Sequence, residues 1–187
     1  MNQKLKIIFK YVPLILLTFI ISACSAGTEK DIIYIRHNLD DYSADTGPYE
    51  EGIEFTLTTE EILSGVEEPM LLKKIYDTEI HLVQAQERQS QKSNYVIQVG
   101  LDSELQQEGT MLSLFRLNND NSYSRELEFE VFNEEGESGN FGHGGGDGDA
   151  PYKQSLHFDT DKEELLKGEK WTFKVSGLYL LKYSKAN

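Results

Sequence analysis

Short segments in which apolar and polar residues alternate recur along this 187-residue chain and constrain its fold more than any other feature. The clearest cover residues 53–57, 95–101 and 127–131. Because successive side chains of a β-strand point to opposite faces, this alternation predicts strands with one buried and one solvent-facing side. Runs rich in β-branched, aromatic and other apolar residues predict further strands, at residues 31–36, 71–86, 110–117, 154–158, 171–175 and 179–183.

Clusters of turn-forming residues separate these segments, and residues 38–51 are predicted to be turns throughout. Residues 58–65 and 160–168 each combine an N-cap residue, two glutamates and a closing glycine, a spacing that predicts a short helical turn. About eight or nine short strands with one or two helical turns predict an all-β fold. We expect an antiparallel β-sandwich, immunoglobulin-like or jelly-roll-like, formed by residues 31–187 as a single domain.

Two glycine-containing segments affect how the strands connect. Ser176-Gly177 divides the last apolar run and is predicted to form a tight hairpin turn, with one long bulged strand as the alternative. Between residues 136 and 148, seven of thirteen residues are glycine. Because glycine loses the most backbone entropy on ordering, this segment is predicted to be a mobile hairpin loop.

The N-terminus differs in character from the rest of the chain. Lys4, Lys6 and Lys10 precede an almost wholly apolar run at residues 11–21, and the sole cysteine, Cys24, follows two small residues after that run. A basic start, a short apolar run and small residues are typical of a secretory signal peptide. The run is shorter than the about 20 apolar residues that a membrane-spanning helix needs.

Residues 21–24, Ile-Ser-Ala-Cys, resemble the lipobox of bacterial membrane lipoproteins. The resemblance implies diacylglycerol transfer to the Cys24 thiol and signal cleavage between Ala23 and Cys24. Residues 1–23 would then be the signal peptide and residues 24–30 a short lipidated tether, which holds the domain at the cell membrane on its extracytoplasmic side. The alternative is an ordinary signal peptide, or an uncleaved anchor, with an incidental cysteine.

The chain is strongly acidic. Removal of residues 1–23, which carry three lysines and no acid, changes the formal net charge from −14 to −17. Such a charge repels nucleic acid and anionic lipid headgroups, so we expect no nucleic-acid partner. It favours cationic partners, although an acidic, solvated surface accounts for it equally well.

Two acidic regions suggest candidate chemistry. In the Gly/Asp-rich loop at residues 136–149, Asp147, Asp149 and backbone carbonyls could hold calcium, although no register of the loop fits a calcium-binding repeat. Glu126, Glu128 and Glu130 share one face of a predicted strand, which suggests a docking strip for a cationic peptide or polyamine. The simpler interpretations are a mobile loop and an ordinary wet sheet face.

The sequence carries no recognisable catalytic motif. Its four histidines, His37, His81, His143 and His157, are scattered without a metal-ligand spacing. We therefore predict a non-enzymatic binding or interaction module at the cell surface, without a cofactor, whose partner is an unknown protein or small ligand. A cell-envelope hydrolase and a calcium-dependent structural module are the alternatives.

Overall fold

The structure is a computed structural model that describes residues 32–66, 68–88, 93–148 and 151–186. Its helices are α1 (Ile32–His37), α2 (Thr59–Ser64) and α3 (Lys162–Leu165). Its strands are β1 (Tyr42–Tyr49), β2 (Ile53–Thr58), β3 (Met70–Ile75), β4 (Thr78–Glu87), β5 (Asn94–Ser103), β6 (Glu108–Ser113), β7 (Arg116–Leu117), β8 (Tyr123–Ser124), β9 (Glu128–Asn133), β10 (Gly142–Asp147), β11 (Gln154–Asp161), β12 (Lys170–Ser176) and β13 (Leu178–Lys185). The predicted all-β fold is confirmed, although the structure describes thirteen strands where eight or nine were expected.

All strand pairs are antiparallel, as the sequence predicts. The largest sheet has the order β10-β11-β5-β4-β3. A second sheet, β2-β12-β9, forms the other layer and packs its inward side chains against those of the largest sheet. A third sheet, β1-β13-β6, extends this other layer and is joined to it where β12 leads into β13. A small β7-β8 ribbon lies beside the third sheet. The arrangement is a two-layer sandwich with its main core between the layers.

Aromatic rings fill the centre of this core. Phe173 of β12 is fully buried, stacks on Phe55 of β2 at 4.9 Å between ring centroids, and meets Phe158 of β11 edge-on, also at 4.9 Å. The indole of Trp171 donates a hydrogen bond from Nε1 to the carbonyl oxygen of Leu165 at 3.1 Å. The alternation seen in the sequence therefore produces one continuous core across both layers.

A second apolar cluster corrects two local predictions. Residues 31–36 were predicted to be a strand, but Ile32–His37 form α1. The helix is favoured because it places Ile32 and Ile35 on one face, where both are buried against the outer side of β13 and its neighbours. Residues 38–51 were predicted to be turns, but Tyr42–Tyr49 form β1 along the edge of the third sheet. Pro48 is tolerated there because an edge strand leaves one side unpaired.

The connection at Ser176-Gly177 is not the predicted hairpin. β12 pairs with β2 and β9, whereas β13 pairs with β1 and β6, so the two strands belong to different sheets. Gly177 makes the change of direction with a φ of +71°, a conformation that favours glycine. Similarly, residues 71–86 form two strands, β3 and β4, which are joined by a turn at Tyr76 and Asp77.

Both predicted helical turns are confirmed, and the capping box of α2 is complete. The Thr58 hydroxyl accepts a hydrogen bond from the Glu61 N–H at 3.1 Å, while the Glu61 carboxylate accepts one from the Thr58 N–H at 2.7 Å. Asp161 caps α3 in the same way, accepting from the Glu164 N–H at 2.8 Å. These side chains satisfy N–H groups that the first turn of a helix leaves without a partner.

Replacing Thr58 with alanine is expected to lower the free energy of unfolding by about 1 kcal/mol, and Thr58→Ser by less, because serine keeps the hydroxyl. Hydrogen bonds from Thr58 lower the pKa of Glu61 below its ordinary value of 4.5. A carboxyl group whose pKa is lower in the folded than in the unfolded protein stabilises the fold at a pH above its ordinary pKa. This stabilisation is lost as the pH falls through the lowered pKa. The difference between wild type and Thr58→Ala, measured by urea unfolding, should therefore shrink between neutral pH and about pH 2. An unchanged difference would show that the bond from the Thr58 hydroxyl to the Glu61 carboxylate adds nothing, since the backbone N–H of residue 58 still donates to Glu61 in the alanine variant.

Candidate functional site

The second half of the glycine-rich segment is a strand rather than part of the predicted mobile loop, whereas residues 136–141 are irregular apart from an isolated bridge at Ser138. Residues 142–147 form β10, which pairs with β11 along its whole length. Neighbouring side chains occupy the space that β-carbons would need: a Cβ on Gly144 would lie 2.6 Å from the His157 ring, and one on Gly145 would lie 2.7 Å from Leu156. The glycines are therefore explained by close packing, which offsets their entropic cost.

Asp147, one of the two acids proposed for calcium, has a different partner. Its carboxylate pairs with the guanidinium of Arg36, whose side chain is 8% exposed and lies over the Phe115 ring at 4.5 Å. This contact ties α1 to β10. Asp149 lies outside the described residues, and no group of three His, Cys, Asp or Glu side chains within those residues could hold a metal ion. Calcium binding stays a prediction.

The outer side of the five-stranded sheet carries a different set of side chains. Two rows cross the central strands in register: His81 of β4 with Gly100 of β5 and Ser155 of β11, and Gln84 of β4 with Gln98 of β5 and His157 of β11. We call this surface the polar face and define it by His81, Gln84, Gln98, Tyr152, Ser155 and His157. Its side chains are half-buried or exposed, whereas the neighbours of its strand residues are buried, except Val83 at the bulge before Gln84.

The row of Gln84, Gln98 and His157 is the most distinctive part of the polar face. These side chains lie on adjacent strands, about 4.8 Å apart along the hydrogen-bonding direction of the sheet. Within the described residues, none of the three forms a side-chain hydrogen bond. Two amides and an imidazole together offer both donors and acceptors. The row can therefore hydrogen-bond to a ligand without breaking an interaction of the fold.

Tyr152 gives the polar face an apolar surface. Its ring lies on Gly100, where an added Cβ would be 2.3 Å from Cγ of the tyrosine. Its centroid is 5.5 Å from that of the His81 ring, which tilts by 48° against it. Burial, and then the nearby Asp102 carboxylate, raise the pKa of the Tyr152 hydroxyl, which therefore stays protonated at neutral pH.

A polar pocket of about 220 Å³ borders this face at the β3–β4 turn. Its lining residues are Lys74, Asp77, Glu79, Asp102, Glu104 and Gln106. Glu79 joins the pocket to the polar face, since its carboxylate lies 3.0 Å from Lys74 Nζ and 3.5 Å from His81 Nε2. The hydrogen bond from Lys74 is the main cause of a lowered pKa at Glu79.

That lowered pKa bears on the hydrolase alternative. A glycosidase needs one carboxyl group that stays protonated, with a raised pKa, to act as general acid. Glu79 is shifted in the opposite direction, and so is every other described carboxyl group whose pKa clearly departs from its ordinary value. Glu79 is therefore not tuned to act as the general acid of such a reaction.

The predicted acidic strip lies on the opposite layer. Glu128 and Glu130 of β9 are exposed on the outer side of the β2-β12-β9 sheet, with Glu126 just before the strand. Lys174 of β12, which lies across from Glu130, pairs with Glu54 at 3.1 Å. This surface is a charged, solvated sheet face, and its binding of a cationic partner stays a prediction.

The four histidines have three different environments. His81 and His157 belong to the polar face, separated by the width of β5. His143 stacks on Phe129 at 4.4 Å between β10 and β9, where the two layers meet at one edge. His37 is exposed at the end of α1. The polar face was not predicted from the sequence, although both glutamines and His157 occupy outward positions of recognisable strands.

The lipobox residues Ala23 and Cys24 lie outside the described residues, so lipidation of Cys24 stays a prediction. Within the part of the chain that the structure describes, no helix is long and apolar enough to cross a membrane. No family model, no curated protein sequence and no solved structure matches the chain. The candidate site therefore rests on its own geometry.

Proposed function

We propose that this protein is a lipid-anchored, extracytoplasmic binding module that holds a ligand on its polar face without transforming it. The observation that carries this proposal is the row of Gln84, Gln98 and His157, whose hydrogen-bonding groups have no partner within the described residues. The paired strands hold these groups side by side, so the backbone of the site needs no reordering when a ligand binds.

The N-terminal sequence supports the location of this module. Seven residues separate Cys24 from Ile32, where α1 begins, and a fully extended chain of that length spans at most about 25 Å. A diacylglyceryl group on Cys24 would supply two acyl chains, enough for stable anchoring. The polar face would therefore bind its ligand close to the membrane surface.

Site-directed crosslinking in intact cells tests this proposal. The natural chain has one cysteine, Cys24, so an acylated protein carries no other thiol. A thiol-reactive benzophenone is attached to Gln86→Cys, which is exposed beside the polar face, and to the matched control Thr56→Cys, which is exposed on the other layer. We expect an adduct on irradiation of the Gln86→Cys protein and little or none with Thr56→Cys. Equal labelling, or no adduct at either position, would contradict the proposal.

A further inference from the structure

We infer that the ligand of the polar face is a neutral oligosaccharide chain. This inference rests on the proposed function and specifies its ligand. It follows from three properties of the polar face: its charge, the chemistry of its unpaired groups and its shape.

The charge of the polar face differs from that of the rest of the protein. The mature chain has a formal charge of −17, yet the described strand residues in the two rows of the polar face include no carboxylate. The nearest outward-facing carboxylates on these strands flank the rows, with Asp159 on one side and Glu79 and Asp102 on the other. On the other layer, the outer side of β2, β12 and β9 carries glutamates and lysines. An anionic ligand would be repelled by the protein as a whole, and a cationic one would find more favourable sites elsewhere. The polar face therefore suits an uncharged ligand.

The unpaired groups match the hydroxyls of a sugar. A hydroxyl both donates and accepts hydrogen bonds, so it can pair with the side-chain amides of Gln84 and Gln98 and with the imidazole of His157. Sugar rings also present apolar C–H surfaces, for which the Tyr152 ring is a suitable partner. A protein partner would instead require a cluster of apolar anchors at the centre of its interface. Besides Tyr152, the described residues of the two rows offer only Leu71 of β3, which lies beside His81 at the edge of the sheet and is 53% exposed.

The shape of the polar face favours a chain over a compact ligand. Gly100 of β5 and Gly144 of β10 let the Tyr152 and His157 rings lie directly against the sheet, so these side chains rise little above it. The surface is consequently flat and extends across several strands, whereas sites for compact ligands are concave. An extended oligosaccharide can contact successive strands along this row.

Binding of two neutral oligosaccharides, chitohexaose and cellohexaose, to the acylated protein in detergent tests the inference by isothermal titration calorimetry. We expect at least one to bind, and Tyr152→Ala and Gln98→Ala each to weaken that binding about ten-fold. Thr56→Ala, on the outer side of the other layer, is the matched control and should leave the affinity unchanged. A hyaluronan oligosaccharide of similar length, which carries carboxylates, should bind more weakly than the neutral sugar.

The outcomes separate this inference from the proposed function. If neither neutral sugar binds, or if binding does not respond to Tyr152→Ala and Gln98→Ala, the inference is wrong. If the Gln86→Cys crosslink then captures a protein, the proposed binding role survives with a different ligand. Circular dichroism of Gln98→Ala tests whether its fold is intact. With an intact fold, a loss of affinity in this variant reports the contact itself.

Discussion

Gly177→Ala is expected to destabilise the fold by about 3 kcal/mol or more, through two separate effects. Gly177 has a φ of +71°, where an alanine costs about 1–2 kcal/mol. An added Cβ would also lie 1.9 Å from the carbonyl oxygen of Glu126, a backbone atom that can move only if the chain before β9 shifts. Forcing an extra methyl group into a packed site adds about 1–3 kcal/mol.

Two other glycines separate these effects. Gly136 has a φ of +82° with nothing within 4 Å of an added Cβ, so Gly136→Ala carries the conformational cost alone, about 1–2 kcal/mol. Gly47 has neither a left-handed conformation nor a close neighbour, and Gly47→Ala should change stability by less than about 0.5 kcal/mol. Urea unfolding of the three variants measures the series. Equal losses in Gly177→Ala and Gly136→Ala would contradict the contact between Gly177 and Glu126.

The large predicted effect at Gly177 is connected to a prediction from sequence that was wrong. A serine and a glycine between two alternating runs fit a hairpin turn as well as a change of sheet, because both need a left-handed residue at that point. The distinction depends on which strands lie beside β12 and β13, and these come from distant parts of the chain. Local sequence therefore identified the break but not its direction.

The elements that were predicted correctly have a strong local signal. Ile97, Val99 and Leu101 alternate with polar or small residues because one side of β5 is buried and the other is the polar face. The capping box of α2 is likewise a property of four consecutive residues. For α1, the same short run of β-branched residues fits either a strand or a helix, and packing on β13 decides between them.

The candidate site could not be predicted because it depends on register. Gln84, Gln98 and His157 come from β4, β5 and β11, and a bulge after Leu82 determines which β4 residue lies beside Gln98. A shift of one residue in either pairing would turn a different set of side chains outward. The glycines of β10 were misinterpreted for a related reason: the side chains that cover them are distant in sequence.

Cys24→Ala is expected to abolish lipid labelling and to remove the mature protein from the membrane. Each buried CH₂ group of an acyl chain contributes about 0.8 kcal/mol to membrane binding, and alanine has no thiol to carry such a chain. Without the anchor, a domain with a formal charge of −17 has no attraction to an anionic bilayer. Labelling of cells with an alkyne-tagged palmitate, followed by fractionation, gives both readouts. The matched control is Ser25→Ala, which changes the adjacent residue and should remain labelled and membrane-bound.

The unprocessed chain must be distinguished from an acylated one, because the apolar run at residues 11–21 can itself hold a precursor at the membrane. Mass spectrometry of the N-terminus makes this distinction. Wild type should begin at an acylated Cys24, whereas Cys24→Ala should either retain residues 1–23 or begin without any lipid. A Cys24→Ala protein that is still labelled and fully membrane-bound would refute the lipobox assignment. It would also remove the reason to look for the ligand of the polar face near the membrane surface, although binding of neutral oligosaccharides by that face would be unaffected.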